Sequence, residues 1–222
     1  SSKRAYRISN ANQAIAILHK AIQDAQTPPC GPVSVEIPID IQSANIPLSL
    51  VTAPVKPTSV ATVDPAIVDA LWTQLKQAKQ PLLWLGGGAL RSADAVKKLA
   101  DAGITVISST HARGVLPDSH RGSLRAFHNS PSVEALIAQC DFTLIAGSRL
   151  RSNETRSWTL ALPSPRVQVD IDPAAASRNY LMDNTLIADC SALLSALADN
   201  VQGREWGNAQ WDALVQQAVE QA

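Results

Sequence analysis

From Asp64 onward the chain alternates between two hydrophobic periods. Ile67, Val68, Leu71, Leu75 and Ala78 recur at three- and four-residue steps, the buried stripe of a helix that Asp64 caps and Pro65 opens. The stripe gives way to a continuous apolar run, Leu82 to Leu85, which stops at Gly86-Gly87-Gly88. Helical spacing returns from Ser92 to Ala102, Gly103 ends it, and Ile104 to Ile107 is a second apolar run. A loop-rich stretch from Ser108 to Asn129 interrupts the alternation. Ser130 and Pro131 then open a short helix carrying Val133, Leu136 and Ile137, followed by apolar runs at Phe142–Ala146, Val167–Ile171 and Thr185–Ala188. Ser191 to Val201 is the closing helix, with Leu193, Leu194, Leu197 and Val201 inward. Strands that are apolar throughout and alternate with helices predict an α/β fold, a Rossmann-like parallel sheet with helices on both faces. Right-handed crossovers put every strand's C-terminal end on one edge, where Gly86, Ser108, Gly147 and Asp172 fall.

The two ends of the chain read differently. Asn10 to Ala25 sets Ala14, Ile15, Leu18, Ile22 and Ala25 on one helical face with Ser9 as N-cap, and Thr27 to Pro32 breaks that helix. Val33 to Ile37 is a strand ended by Pro38, so this region holds a helix and a strand with no sheet of their own. The Pro47-, Pro54- and Pro57-bearing segment that follows reads as a linker between domains. Beyond Gly203, Trp206, Trp211, Leu214, Val215 and Ala218 mark a tail helix. Two tryptophans on one stripe need a surface, either the core of the sheet domain or a domain outside this chain.

Composition narrows the partners. The 19 basic and 19 acidic residues cancel and no basic stripe stands out, which argues against nucleic acid or an anionic membrane. No apolar run approaches the ~20 residues of a membrane span, and the N-terminus shows no signal-peptide core. Cys30, Cys140 and Cys190 are few, odd in number and far apart, as buried free thiols of a cytoplasmic protein would be.

Several short motifs, in order, carry a resemblance. Gly31-Pro32-Val33-Ser34-Val35-Glu36-Ile37-Pro38-Ile39-Asp40 resembles the segment closing the pyrimidine-binding domain of thiamine-diphosphate enzymes. Ala78-Lys79-Gln80-Pro81 leading into the glycine turn, Gly114 to His120, Cys140 to Arg149, Val169-Asp170-Ile171-Asp172-Pro173 and Ala188-Asp189-Cys190 resemble their central domain. The likeness spans roughly residues 5 to 202 and is of the acetolactate synthase and benzoylformate decarboxylase type. It implies a division into 1–41, the end of the pyrimidine-binding domain; 42–63, a linker; 64–202, the Rossmann-like central domain; and 203–222, the start of the connection to a diphosphate-binding domain.

The resemblance also says what is missing. Such enzymes activate thiamine diphosphate with a glutamate of the first domain and hold its magnesium with a Gly-Asp-Gly motif of the third. This chain has no Gly-Asp-Gly, and none of Glu36, Glu134, Glu154, Glu205 and Glu220 stands in the activating context. The expectation is an inactive fragment. Its parent would act on 2-oxo acids by decarboxylation or carboligation, as a homodimer or homotetramer, and the fragment itself would supply no catalytic residue and no metal ligand. Its partners would be the remaining domains.

The glycine turn poses the sharpest chemical question. Gly86-Gly87-Gly88-Ala89-Leu90-Arg91 puts arginine at the third glycine of a dinucleotide fingerprint, and no acid follows Ile107 to take a ribose hydroxyl, so NAD is not expected. Acetolactate synthases hold FAD in this domain and some relatives ADP. The matching positions here are Gly86, Gly87, Gly88, Thr110, Gly147, Ser148, Arg149, Asp170 and Asp172. A tight strand-to-helix turn explains the same glycines without a ligand, and Asp172-Pro173 also reads as a helix cap. His111, His120 and His128 fit no single helical face and read as exposed or capping residues. Asp118, Ser119 and His120 are adjacent and cannot converge as a triad. Arg149, Arg151 and Arg156 form a solvated or domain-contacting face that would also serve an anion.

Overall fold

The computed structural model describes residues 2–51, 53 and 63–222, and contacts divide the chain into two compact units, Ser1–Val60 and Ala61–Ala222. In the smaller unit, strand β1 (Arg4–Arg7) precedes helix α1 (Ala14–Gln26), and strand β2 (Val33–Glu36) follows it. β1 and β2 pair in parallel from Arg4↔Val33 to Arg7↔Glu36, so α1 is the crossover of a small βαβ unit. The predicted strand therefore does have a sheet partner, in Arg4-Ala5-Tyr6-Arg7, whose polar composition carries no strand signal. Asn10, where the pattern predicts Ser9, caps the start: its side chain accepts the amide of Asn12 and begins a 3-10 turn, Ala11–Gln13, that runs into α1. The face α1 buries also differs. Ala21 and Asp24 are buried while Ile22 is 45% exposed. Asp24 accepts hydrogen bonds from Lys20 and from the Tyr6 hydroxyl on β1, which hold its carboxyl below the ordinary carboxylate value. A short helix α2 (Ile39–Gln42) and a 3-10 turn at Leu48–Leu50 follow. Of the expected linker, residues 52 and 54–62 lie outside the described residues.

The larger unit comprises α3 (Pro65–Leu75), β3 (Pro81–Leu85), α4 (Ala93–Asp101), β4 (Thr105–Ser108), α5 (Pro131–Ile137), β5 (Phe142–Ala146), β6 (Arg166–Asp170), β7 (Asn184–Ile187), α6 (Cys190–Asp199) and α7 (Ala209–Glu220). Its strands form one parallel sheet in the order β4-β3-β5-β6-β7. Caps fall where short polar residues allow them. Asp64 accepts the amide of Ala66, Asp189 that of Ala192, and Asn208 that of Trp211. Asp141 ties the exit of α3 to the start of β5 by accepting the amides of Lys79 and Gln80, both at 2.8 Å.

All residues of β3 and β5 are buried, and alternation divides them between two cores. Leu83, Leu85, Val106, Leu144, Val167 and Val169 face a layer built from α3, α4 and α6. Leu82, Trp84, Ile107 and Ile145 face a layer built from α5 and α7. The sheet is thus covered on both faces, as its apolar strands require. Of the two surfaces open to the tail tryptophans, the sheet domain takes both: Trp206 packs edge-on to Trp72 at 5.8 Å, and buried Trp211 donates its indole N–H to Thr105 Oγ1 at 2.8 Å. The loop-rich stretch also has a structural task. Val106 donates to Gly122, Leu124 to Val106, and Ser108 to Arg125, so this segment pairs along the free edge of β4.

Candidate functional site

The strand order changes direction between β3 and β5, the position where doubly wound sheets open a ligand crevice. Here backbone occupies it. Gly86 donates its amide to the Ala146 carbonyl at 2.8 Å, Gly88 to Gly147 at 3.1 Å, and Gly147 to Val169 at 2.8 Å. A Cβ on Gly86 would stand 2.1 Å from the Gly147 oxygen, and one on Gly88 2.8 Å from the Gly147 Cα. Gly147 has φ +63° and would itself drive a Cβ to 2.5 Å from the Gly88 Cα. The glycines after β3 and the glycine after β5 are thus the two sides of one close backbone approach. The amides of Gly86 and Gly88 are thus engaged inside the protein.

The other predicted positions lie along the same edge and bond largely to protein. Thr110, after β4, donates its amide to buried Glu154 Oε1 at 2.9 Å. Ser148 is buried and its Oγ accepts the amide of Leu150 at 3.2 Å. Arg149 pairs with Asp172 at 3.3 Å. Asp170 Oδ1 accepts the Asp172 amide at 2.9 Å; burial pushes its carboxyl above the ordinary value, while that amide and the Arg149 charge pull the other way. Asp172 Oδ1 in turn accepts the amide of Ala174 at 3.0 Å. This caps a turn, since no helix starts at Pro173.

The histidines separate. His111 is exposed, and His120 bonds Asp101 at 3.0 Å and accepts the amide of Gly122. His128 departs from the expected exposure: it is buried, lies against Trp84 with centroids 5.3 Å apart, and donates from Nε2 to the Ser108 carbonyl at 2.5 Å. Burial is the main cause holding its imidazole below the ordinary value. The cysteines separate too. Cys30 is exposed, contrary to expectation, whereas burial pushes the thiols of Cys140 and Cys190 up to about 12. Among the described residues no three His, Cys, Asp or Glu side chains gather as metal ligands. No helix among them is long and apolar enough to cross a membrane.

Residue patterns alone miss several members of this edge. Gln168 is buried in the middle of β6, where its Nε2 donates to the Ser148 carbonyl at 3.0 Å and its Oε1 accepts the Ser177 amide at 2.8 Å. One signal could have found it: a glutamine between Val167 and Val169 in an otherwise apolar strand needs buried partners. Glu154, Trp158, Arg178 and Asn179 carry no such signal.

A parallel sheet of this order, cored on both faces and edged by apposed glycine turns, defines an α/β domain of the doubly wound, Rossmann-like class. The family model "Thiamine pyrophosphate enzyme, central domain" matches residues 68–197, and the chain belongs to that family. It is similar to the acetolactate synthase isozyme 1 large subunit of Escherichia coli (strain K12), 26% identical over 219 residues, covering 96% of this chain and 38% of that protein. An acetolactate synthase of Mycobacterium avium is 30% identical over 128 residues, 55% of this chain and 21% of that protein. The chain therefore spans well under half the length of these relatives. Among solved structures, benzoylformate decarboxylase from Polynucleobacter necessarius shares the fold with a TM-score of 0.77 at 22% identity, over 93% of this chain and 40% of that one.

Proposed function

We propose that the chain is the non-catalytic middle of a thiamine-diphosphate-dependent enzyme acting on 2-oxo acids, a scaffold between two cofactor-binding domains. In this reading residues 1–41 end the pyrimidine-binding domain, 42–63 link, 64–202 form the central domain and 203–222 lead toward the diphosphate-binding domain. The observation that carries it is the apposition of Gly86 and Gly88 with Gly147. At the switch point of a domain matched to this family, the strand-end crevice is filled with the protein's own backbone. What remains is a rigid spacer. The intact enzyme would be a cytoplasmic homodimer or homotetramer, and thiamine diphosphate with magnesium would supply carbanion chemistry there when bound.

Calorimetric titration of this chain with thiamine diphosphate and magnesium tests the reading. The expected result is no saturable heat; tight one-to-one binding would overturn it. The coding region gives a second check. A Gly-Asp-Gly motif downstream and a pyrimidine-binding domain upstream are expected, and stop codons on both sides would sink the scaffold role.

A further inference from the structure

Beside the glycine turns, the larger unit has a second concavity of about 340 Å³, walled by the segments after β5 and β6. That is within the range of roughly 300–1,000 Å³ typical of small-molecule sites. Arg149, Arg151 and Arg178 line it together with Trp158 and Asn179, and no carboxylate does. Asp172 offsets Arg149, whereas Arg151 and Arg178 have no ion-pair partner among the described residues. Trp158 is 50% exposed, the only tryptophan among the exposed large hydrophobic residues described.

The walls are fixed by bonds between and within them. Asn179 on one wall donates its side-chain amide to the Arg149 carbonyl on the other at 2.6 Å, and within the wall after β5 the Trp158 indole N–H donates to the Leu150 carbonyl at 3.1 Å. Beneath them, buried Gln168 joins Ser148 on one wall to Ser177 on the other. The backbone of the same two segments is strained. Leu150, Arg156, Ser157, Trp158 and Ser177 all have φ between +48° and +65°, and among the described residues Arg125 is the one other non-glycine in that region. Strain of this kind persists where the surroundings over-determine it and gathers at ligand sites.

We propose that this cavity binds a small organic polyanion, a phosphate ester or a polycarboxylate, held by Arg151 and Arg178 with its body against Trp158. Guanidinium groups without protein partners on a fixed frame are suited to bidentate capture of such oxygens. The cavity is too small for a macromolecular surface, and the proposal stands independently of the scaffold role.

The test is isothermal titration of the whole 222-residue chain with pyrophosphate and, separately, with citrate. Saturable one-to-one binding of at least one probe is expected, weakening as salt rises and by about tenfold or more in Arg151→Gln/Arg178→Gln. Pyrophosphate alone would identify the phosphate class, and citrate alone the carboxylate class. Neither arginine supports the fold, so the double variant should keep the wild-type melting temperature; Arg178→Gln alone serves if it does not. No saturable heat from either probe up to about 10 mM would overturn the proposal. So would binding that the substitutions leave unchanged.

Discussion

Replacing Gly86 by alanine isolates the contact on which the sheet domain turns. The new Cβ would lie 2.1 Å from the Gly147 oxygen and 2.4 Å from the Ser148 Cα, both backbone atoms with no rotamer to yield. Reaching the 3.4 Å of an ordinary contact means opening the two turns by 3.4 − 2.1 = 1.3 Å. That movement strains or breaks the bonds from Gly86 to Ala146 and from Gly88 to Gly147. Overpacking of this sort costs about 1–3 kcal/mol and each lost bond about 1 kcal/mol, so the variant should lose about 3–5 kcal/mol. At roughly 2–4 °C per kcal/mol for a unit of this size, the melting temperature should fall by about 6–20 °C. Gly87→Ala is the control. Its Cβ would meet only the His111 Cβ at 3.5 Å, an ordinary contact, so its cost should stay below about 1 kcal/mol. All five tryptophans lie after Val63, so intrinsic fluorescence in thermal and urea unfolding reads the larger unit alone. If Gly86→Ala stays within about 1 kcal/mol of the wild type, or if Gly87→Ala matches it, the packing account fails. A phosphate-cradle account differs, since it places the penalty in ligand binding and leaves the ligand-free melts alike.

Three further outcomes test the surrounding structure. His128 is buried with its imidazole held below the ordinary 6.5, so the unfolded chain binds the proton more readily. Its stabilisation is complete above that value and lost as pH falls through the window beneath it; urea midpoints at about pH 7.5 and about pH 5.5 should show the loss, and His128→Gln should flatten it. Trp211→Phe strands the buried Thr105 hydroxyl without its indole donor and should cost about 1–2 kcal/mol by urea unfolding, with an unchanged transition arguing against that bond. Iodoacetamide should label Cys30 in the folded chain and spare Cys140 and Cys190, whose thiols burial pushes up to about 12. Mass spectrometry showing equal labelling of all three would contradict the burial.

What was legible in the sequence follows the range of the interaction responsible. The larger unit announced itself because β3 and β5 are apolar at every position and because Asp64 is a local cap, all read within a few residues. The smaller unit hid its sheet. Arg4-Ala5-Tyr6-Arg7 has no strand composition, and its place depends on backbone pairing with Val33–Glu36 and on Tyr6 reaching Asp24. His128 was illegible for the same reason: its burial is set by Trp84, 44 positions earlier, and by a carbonyl 20 residues away.

The candidate edge shows the distinction most sharply. Gly86 to Gly88 and Gly147 suggest one site because glycine turns at strand ends suit close approach, and the structure does bring them together. Sequence could not name the approaching group. A phosphate and a second glycine loop impose the same requirement on a strand-end turn, namely no Cβ and an amide donor facing outward. Only the acceptor differs, and here the acceptors are the carbonyls of Ala146 and Gly147. Each loop therefore demands glycine of the other across some 60 positions of chain. Gly147→Ala should accordingly be at least as damaging as Gly86→Ala, because it adds the penalty of φ +63°, about 1–2 kcal/mol, to a clash at 2.5 Å with the Gly88 Cα. If alanine at 147 were tolerated while alanine at 86 was not, the two turns would not be a matched pair, and the filled crevice would need another explanation.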